Sequence, residues 1–219
     1  MKVFLIFLLI KERIKRILEA TNKKSYLKWY IRNGTTEKLR WRNVMILKFV
    51  PDLWNYLEII QRHKIVNVIE FGSFKGGSTI FFADMLKLFE TGGKVFAVDI
   101  EDRMDPKTNR PDIEKLTASS TSDICEQTIK KFRTKNPGKI LVILDSEHTS
   151  EHIYNELKLI TPILIKGDYL VVEDAGFETS MLPGMKKFFD EFSMEYDHDI
   201  EREELFGVTL AEYGYWIKK

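Results

Sequence analysis

The chain has 219 residues, 44% of them apolar and 31% charged, which suits one domain with a full core and excludes a disordered or fibrous protein. A single cysteine, Cys125, excludes an intrachain disulfide and a zinc site built from several cysteines. The net charge of +1 hides an asymmetry, since residues 1–48 hold 13 Lys and Arg against 3 Asp and Glu, whereas residues 49–219 hold 21 against 30. A basic arm precedes an acidic body, which indicates an anionic partner for the arm or a contact between the two parts.

The basic arm begins with eight apolar residues, 3–10, which is far short of the roughly 20 that a membrane-spanning helix needs. Charged residues follow at 11–16 without a signal-peptide cleavage site, and the spacing of apolar residues predicts a helix. Two interpretations stay open. The helix packs on its own body or on a second subunit of a homo-oligomer, or residues 1–32 lie on an anionic membrane surface as an interfacial helix. We therefore expect a cytoplasmic protein, with peripheral membrane association as the second alternative.

After Pro51 the predicted elements alternate between helices and strands. In chain order they are a helix at 52–62, a strand at 66–71, a helix at 77–89, a strand at 94–100, a loop at 102–112, a short strand at 114–118, a helix at 122–134, a strand at 139–145, a helix at 150–160, a strand at 169–173, a helix at 185–192 and two late strands near 195–200 and 208–217. This alternation predicts βαβ units and a parallel sheet covered on both faces. The two late strands predict an antiparallel edge.

The turn after the first strand is rich in glycine. In an open α/β sheet, ligands bind beyond the carboxyl ends of the strands. The first strand ends near Glu70, and the second ends at Asp99, where a carboxylate can accept both hydroxyls of a ribose. Small residues that let the backbone approach a ligand follow Glu70 in the order Gly72, Ser73, Gly76, Gly77 and Ser78. The spacing differs from the dinucleotide pattern G-x-G-x-x-G, and an ordinary strand-to-helix turn is the alternative.

Three carboxylates follow two later strands. Asp145 ends one strand, and Glu173 and Asp174 follow the next. Because parallel strand ends meet at one edge of the sheet, we expect these acids to converge and to need a positive charge between them. A hard divalent cation, Mg²⁺ above all, fits oxygen ligands. Solvated or helix-capping acids are the alternative.

The glycine turn with Glu70 and Asp99 resembles the cofactor site of class I S-adenosylmethionine-dependent methyltransferases. The stretch LDSEHTSEHIYNELKLITPILIKGDYLVVEDA is more specific, and it resembles the family of cephalosporin hydroxylase-like proteins and rhamnosyl O-methyltransferases. The segments VIEFGSFKGGST and LPGMKKFFDEF, together with Trp41 and the run Lys48 to Trp54, agree with this resemblance. It covers residues 41–219, whereas residues 1–40 have no counterpart, so we expect a basic helical arm at 1–40 and a methyltransferase-like domain at 41–219.

The resemblance implies a Rossmann-like α/β sandwich with a mostly parallel seven-stranded sheet, an antiparallel C-terminal edge and an N-terminal helical arm. It implies an S-adenosylmethionine-dependent O-methyltransferase that acts on a hydroxyl of a sugar, glycan, glycolipid or secondary metabolite. It also implies Mg²⁺ held by Asp145, Glu173 and Asp174. The implied cofactor-binding residues are Glu70, Gly72, Ser73, Gly76, Gly77, Ser78, Asp99, Ser119, Ser120 and Asp145. Asn43 stands where the family often has glycine, so the substrate is not transferred by analogy.

His148, three residues after Asp145, is the candidate general base, because an imidazole ordinarily titrates near neutral pH. A structural histidine that hydrogen-bonds the loop is the alternative. His152 is expected to be exposed on its helix. Two other functions remain as alternatives, a nucleotide-dependent oxidoreductase on a similar fold and a non-catalytic protein that docks on a membrane or partner. No nucleic-acid partner is expected, because the body is acidic and lacks a recognised motif.

Overall fold

The computed structural model describes residues 25–176 and 179–219. It divides the chain into two compact units between Lys38 and Leu39, two residues before the predicted domain boundary. In the first unit, residues 25–32 are helical, and the ring of Tyr26 stacks on that of Trp29 with centroids 6.2 Å apart. The predicted oligomer contact and interfacial helix fall mainly on residues 1–24, which lie outside the described residues. Among the described residues, no helix combines the length and the apolar character needed to cross a membrane.

The second unit is a layered α/β structure. Its strands are β1 (Arg40–Trp41), β2 (Val44–Met45), β3 (Ile65–Phe71), β4 (Val95–Asp99), β5 (Ile113–Thr117), β6 (Lys139–Leu144), β7 (Tyr169–Val172), β8 (Tyr196–His198) and β9 (Tyr215–Lys218). With α1 (Thr35–Lys38) in the first unit, the helices are α2 (Val50–Arg62), α3 (Gly77–Leu88), α4 (Asp123–Lys135), α5 (Ser150–Ile160), α6 (Leu182–Glu191) and α7 (Ile200–Glu204). Short 3₁₀ turns lie at Pro106–Thr108, Thr161–Ile163 and Thr179–Met181.

Seven strands form one sheet in the order β5-β4-β3-β6-β7-β9-β8. The first five are parallel, and β9 pairs antiparallel with both β7 and β8. The predicted sheet and its antiparallel edge are therefore confirmed. The order also reverses direction between β3 and β6, and the strand ends on either side of such a point border a crevice in open α/β sheets.

The central strands bury both faces, which explains their continuous apolar sequences. Along β6, Val142 packs on the face covered by α4, α5 and α6, while its neighbour Ile143 packs on the face covered by α2 and α3. Side chains alternate between the two faces of a strand, so each face needs its own apolar residues. The two clusters hold the carboxyl ends of β3, β4, β6 and β7 at one edge of the sheet.

Three local features differ from the predicted elements. A two-stranded hairpin, β1 and β2, precedes α2, and it is too short to produce a periodic signal. The late strand expected near 208–217 is confined to Tyr215–Lys218, because residues 209–214 form a turn against the start of α2. The short helix α7 follows β8 and is capped by Asp199, the residue before it, whose carboxylate accepts a hydrogen bond from the Arg202 amide.

Candidate active site

A cavity of about 370 Å³ lies at the carboxyl ends of the parallel strands. Nine of the residues predicted for the site form part of its wall: Gly72, Ser73, Ser78, Asp99, Ser119, Ser120, Asp145, His148 and Asp174. They lie at the carboxyl ends of β3, β4, β5, β6 and β7 or in the segments that follow, which meet there because these strands are parallel neighbours. Four other predicted residues, Glu70, Gly76, Gly77 and Glu173, do not line the cavity.

The glycines of the turn after β3 allow close approach of backbone to backbone. Gly72 has φ +83°, and a Cβ there would lie 1.8 Å from the carbonyl oxygen of Asp145. A Cβ at Gly77 would lie 2.0 Å from the carbonyl oxygen of Met45. These two glycines therefore hold the end of β6 and the hairpin close to the turn, and Gly72 also contributes to the cavity wall.

Asp99, the last residue of β4, presents at the cavity a carboxylate that accepts several hydrogen bonds. Its Oδ2 accepts from the Phe74 amide at 2.7 Å, and its Oδ1 accepts from the Glu101 amide at 3.0 Å and from Arg103 Nη2 at 3.2 Å. Arg103 also lies over the ring of Phe74, 4.9 Å from its centroid. The carboxylate is thus fixed by the turn after β3 and by its own loop, with Arg103 as a third support.

Glu70 lies in β3 one residue before the end of the strand and is fully buried. Its Oε2 accepts a hydrogen bond from Thr79 at 2.5 Å, and burial raises the pKa of the carboxyl group. The residue thus connects β3 to α3. Glu70 does not line the cavity, although the sequence predicts it as a cofactor-binding residue. It could influence a ligand only indirectly, through the turn after β3.

Lys48 is the cation between the converging acids. Its Nζ donates to Asp145 Oδ2 at 2.5 Å and lies 2.8 Å from Glu173 Oε1, with only 2% of the residue exposed. Burial works to lower the pKa of the ammonium, but the charges of Asp145 and Glu173 outweigh it, so the pKa is raised. The predicted convergence of Asp145 and Glu173 is present, and a lysine compensates their charge.

Glu173 has a second partner. The hydroxyl of Tyr56, on α2, donates to the same Oε1 that contacts Lys48. Burial raises the pKa of Glu173 well above its ordinary range, whereas the attraction of Lys48 overcomes the effect of burial on Asp145 and lowers its pKa. The pKa values of the two acids are therefore shifted in opposite directions, although both carboxylates contact the ammonium group of Lys48.

Asp174 and His148 complete the rim of the cavity. His148 Nε2 lies 3.5 Å from Asp145 Oδ1 and 3.7 Å from Asp174 Oδ2. Asp174 has φ +61°, a left-handed conformation in which Asp and Asn are the commonest residues besides glycine. Burial and the nearby Asp145 raise its pKa to about 7.

The side chains at this rim fit a divalent cation. Ligand atoms of Asp145, His148 and Asp174 all lie within 4.8 Å of one another, the spacing that ligands of one ion require. Two of these residues supply carboxylate oxygens, the ligands that Mg²⁺ prefers, and an imidazole suits transition metals better. The sequence predicted Glu173 rather than His148 as the third member of the set, and Glu173 as a ligand stays a prediction.

The expectation that His152 is exposed was wrong. Its side chain is 17% exposed and lines the cavity, where Nε2 lies 2.9 Å from Ser120 Oγ and 3.2 Å from Glu156 Oε1. The hydrogen bond with Glu156 raises the pKa of His152. Thr149 caps the helix that carries His152, since its Oγ1 accepts from the His152 amide at 3.3 Å. The contact between His152 Nε2 and Ser120 Oγ also fixes the hydroxyl of Ser120, one of the predicted cofactor residues.

The fold defines the class of protein. Among solved structures, the apo structure of CmcI superposes with a TM-score of 0.70 at 18% identity and covers 83% of this chain and 76% of its own. The Mg–SAM structure of CmcI gives 0.69 at 17% identity and covers 84% and 77%. The second unit is thus a class I methyltransferase fold.

Sequence similarity then shows the family. Residues 33–219 match the family described as Rhamnosyl O-methyltransferase/CmcI, and the chain belongs to it, a family of S-adenosylmethionine-dependent methyltransferases. The Rhamnosyl O-methyltransferase of Mycobacterium leprae (strain TN) is 37% identical over 206 residues, covering 90% of this chain and 90% of its own. The protein of the same name from Mycobacterium tuberculosis (strain ATCC 25618 / H37Rv) is also 37% identical over 206 residues, covering 89% and 84%.

Proposed function

We propose that this protein transfers the methyl group of S-adenosylmethionine to a hydroxyl of a sugar or of a sugar-bearing glycolipid, with a divalent cation at Asp145 and Asp174. The observation that carries the proposal is that Asp99, Asp145, His148 and Asp174 all line the same cavity. Membership in the family supports O-methyl transfer. The names of the Mycobacterium relatives support a rhamnose-type acceptor among the hydroxyl compounds that the sequence left open.

The cofactor residues divide by position around the cavity. Asp99 would accept the ribose hydroxyls, in the place where its carboxylate is already fixed by two backbone amides. Gly72, Ser73 and Ser78 would hold the methionine portion, and Gly76, Gly77 and Glu70 would shape that turn without direct contact. Ser119 and Ser120 would border the adenine, because they follow β5, the strand beside that of Asp99.

The sulfonium methyl group is a strong electrophile, so the protein has to orient the acceptor hydroxyl and remove its proton. His148 Nε2 would take that proton, since it lies at the rim beside both carboxylates. A bound cation would lower the pKa of the hydroxyl and fix its direction. Lys48 fixes Asp145 through Oδ2. Asp145 Oδ1 would then hold the cation and the His148 imidazole at constant positions relative to each other.

A substitution at Asp145 tests this proposal. In Asp145→Asn, we expect the affinity for labelled S-adenosylmethionine to stay within a few-fold of wild type, while the turnover of a rhamnose-terminated glycoside falls by at least 100-fold. EDTA should abolish the wild-type activity, and added Mg²⁺ should restore it. Unchanged activity in EDTA would contradict the role of the cation, and unchanged turnover in the variant would contradict the site.

Calorimetry with S-adenosylmethionine and with NAD tests the other functions. Binding of NAD alone would favour the nucleotide-dependent oxidoreductase, and binding of neither would favour a docking protein. The homo-oligomer and the membrane contact of residues 1–32 remain predictions. Removing residues 1–32 should change the subunit number or the partitioning onto anionic vesicles and leave cofactor affinity unchanged.

A further inference from the structure

One ring nitrogen of His152 links two strand ends to helix α5. Nε2 lies 2.9 Å from Ser120 Oγ, which follows β5, and 3.2 Å from Ser146 Oγ, which follows β6. The same atom lies 3.2 Å from Glu156 Oε1, on the next turn of α5. The two serines and His152 line the cavity, whereas Glu156 is fully buried and is absent from the cavity wall. A buried carboxylate is thus connected through an imidazole to hydroxyl groups of the cavity wall.

The contacts of Glu156 determine which ring nitrogen of His152 carries a hydrogen. Glu156 Oε1 accepts from the Ser146 hydroxyl at 2.5 Å, so it offers lone pairs, and a bare Nε2 at 3.2 Å would face it with another lone pair. The hydrogen bond with Glu156 also raises the pKa of His152, as expected when the ring donates to a carboxylate. Glu147, near Nδ1, competes poorly, because it lies 3.5 Å away and its side chain is 60% exposed. These contacts assign a hydrogen to Nε2 in both the neutral ring and the imidazolium.

This hydrogen fixes the polarity of the Ser120 hydroxyl. A ring nitrogen that carries a hydrogen has no lone pair to accept with, so Ser120 Oγ can only accept from Nε2. Within residues 25–176 and 179–219, Ser120 Oγ has no second hydrogen-bond partner. Its own hydrogen is therefore available to a ligand in the cavity that the residue lines.

The burial of Glu156 argues for a role of this kind. Its Oε2 is buried and has no hydrogen-bond partner in the part of the chain that the structure describes. An unpaired buried carboxylate oxygen costs free energy, which an apolar side chain of similar size would not. The residue is best explained by what its Oε1 orders, the Ser146 hydroxyl and the His152 ring.

We propose that Glu156 and His152 are positioning residues that make the Ser120 hydroxyl a hydrogen-bond donor to a ring nitrogen of the adenine of S-adenosylmethionine. This proposal rests on the proposed function, which assigns Ser120 to the adenine. The free ring nitrogens of adenine are acceptors and its exocyclic amino group is a donor. A donor at Ser120 therefore selects a ring nitrogen, whereas an acceptor there would select the amino group.

Calorimetry with S-adenosylhomocysteine, the demethylated cofactor, tests the proposal in the full-length protein. The probes are this compound and analogues in which carbon replaces one ring nitrogen of the adenine at a time. We expect one analogue to bind wild type about five- to tenfold more weakly than the parent compound. Ser120→Ala should weaken the parent compound by about the same factor and bind that analogue no more weakly than wild type does.

A double-mutant cycle tests whether His152 acts through Ser120. His152→Leu should weaken binding of the parent compound about three- to fivefold, and in the Ser120→Ala background it should cost less than about twofold. His152→Gln, which keeps an N–H near the position of Nε2, should restore the affinity. The KM for S-adenosylmethionine should follow these changes, with kcat within about twofold of wild type. His198→Gln is the matched control, since His198 pairs with Glu203 at 2.7 Å outside the cavity wall, and it should bind as wild type.

The outcomes separate this proposal from the proposed function. Wild-type protein that binds neither S-adenosylmethionine nor S-adenosylhomocysteine overturns both. Binding that no ring-nitrogen replacement weakens, or that only loss of the exocyclic amino group weakens, overturns the positioning role alone. Additive losses in Ser120→Ala/His152→Leu overturn it as well. If the variants at position 152 do not fold, the analogue series on wild type and Ser120→Ala decides.

Discussion

The pH dependence of stability near Asp174 gives a quantitative test of the carboxylate site. Without a bound cation, the pKa of Asp174 is raised from 3.8 to about 7 by burial and by Asp145. The folded protein thus holds this proton more tightly than the unfolded chain does. Stability should therefore decrease as the pH rises above about 4, and the decrease should be complete above about pH 7.

The size of this effect follows from the two pKa values. Each pH unit between them corresponds to about 1.4 kcal/mol, which gives an upper value of about 4 kcal/mol. A side chain that is 25% exposed is partly screened by solvent, so we expect about 2–4 kcal/mol. Asp174→Asn removes the charge, and asparagine tolerates the left-handed conformation at φ +61°. The variant should be more stable than wild type by this amount at pH 8 and equal to it near pH 4.

Urea denaturation at several pH values between 4 and 8, in the presence of EDTA, measures the difference directly. Asp102→Asn, at an exposed loop position, is the control and should change the free energy of unfolding by less than about 0.5 kcal/mol. Added Mg²⁺ at pH 8 should stabilise wild type more than Asp174→Asn. A variant that is no more stable than wild type at pH 8, or a difference that does not depend on pH, would refute the reasoning.

Three further predictions concern the cavity wall. Asp99→Ala should weaken S-adenosylmethionine binding at least tenfold in calorimetry, and unchanged affinity would exclude Asp99 as the ribose acceptor. Gly72→Ala should lower the free energy of unfolding by about 2–4 kcal/mol because its Cβ meets the Asp145 carbonyl, whereas Gly92→Ala, with φ +70° and open space, should cost only about 1–2 kcal/mol. His148→Asn should lower kcat by about 10²- to 10⁴-fold with Mn²⁺ affinity unchanged. A parallel loss of Mn²⁺ affinity would make His148 a ligand instead of a base.

The sheet could be predicted from the sequence because its signals are local. Apolar runs such as residues 139–144 alternate with amphipathic helices, and parallel strand ends place Asp99, Asp145 and Asp174 at one edge without further information. The glycines at 72 and 77 were also recognised, although the structure shows that they fit backbone contacts with Asp145 and Met45. These features depend on neighbours in the chain or on the general geometry of parallel sheets.

The partners of the carboxylates could not be predicted, because they depend on contacts between distant segments. Lys48 meets Asp145 across 97 positions and Tyr56 meets Glu173 across 117. Lysines are ordinarily exposed, so the sequence gives no indication that Lys48 is buried. His152 was misjudged for a related reason, since its neighbour Ser120 comes from another strand end. The convergence of Asp145, Glu173 and Asp174 indicates that a positive charge must lie among them, but it does not show that Lys48 supplies it.

The contacts of Lys48 also bear on the order in which the protein folds. When β6 and β7 pair with their neighbours, they bring the negative charges of Asp145 and Glu173 together at one edge of the sheet. This repulsion persists until the segment before α2 supplies the ammonium group of Lys48. Contacts between distant segments close late and slowly. Docking of residues 44–50 should thus be the step that converts a formed sheet into a competent site. A fragment that begins at α2 would keep the strands of the seven-stranded sheet but would lack Lys48, whose ammonium group contacts Asp145 and Glu173.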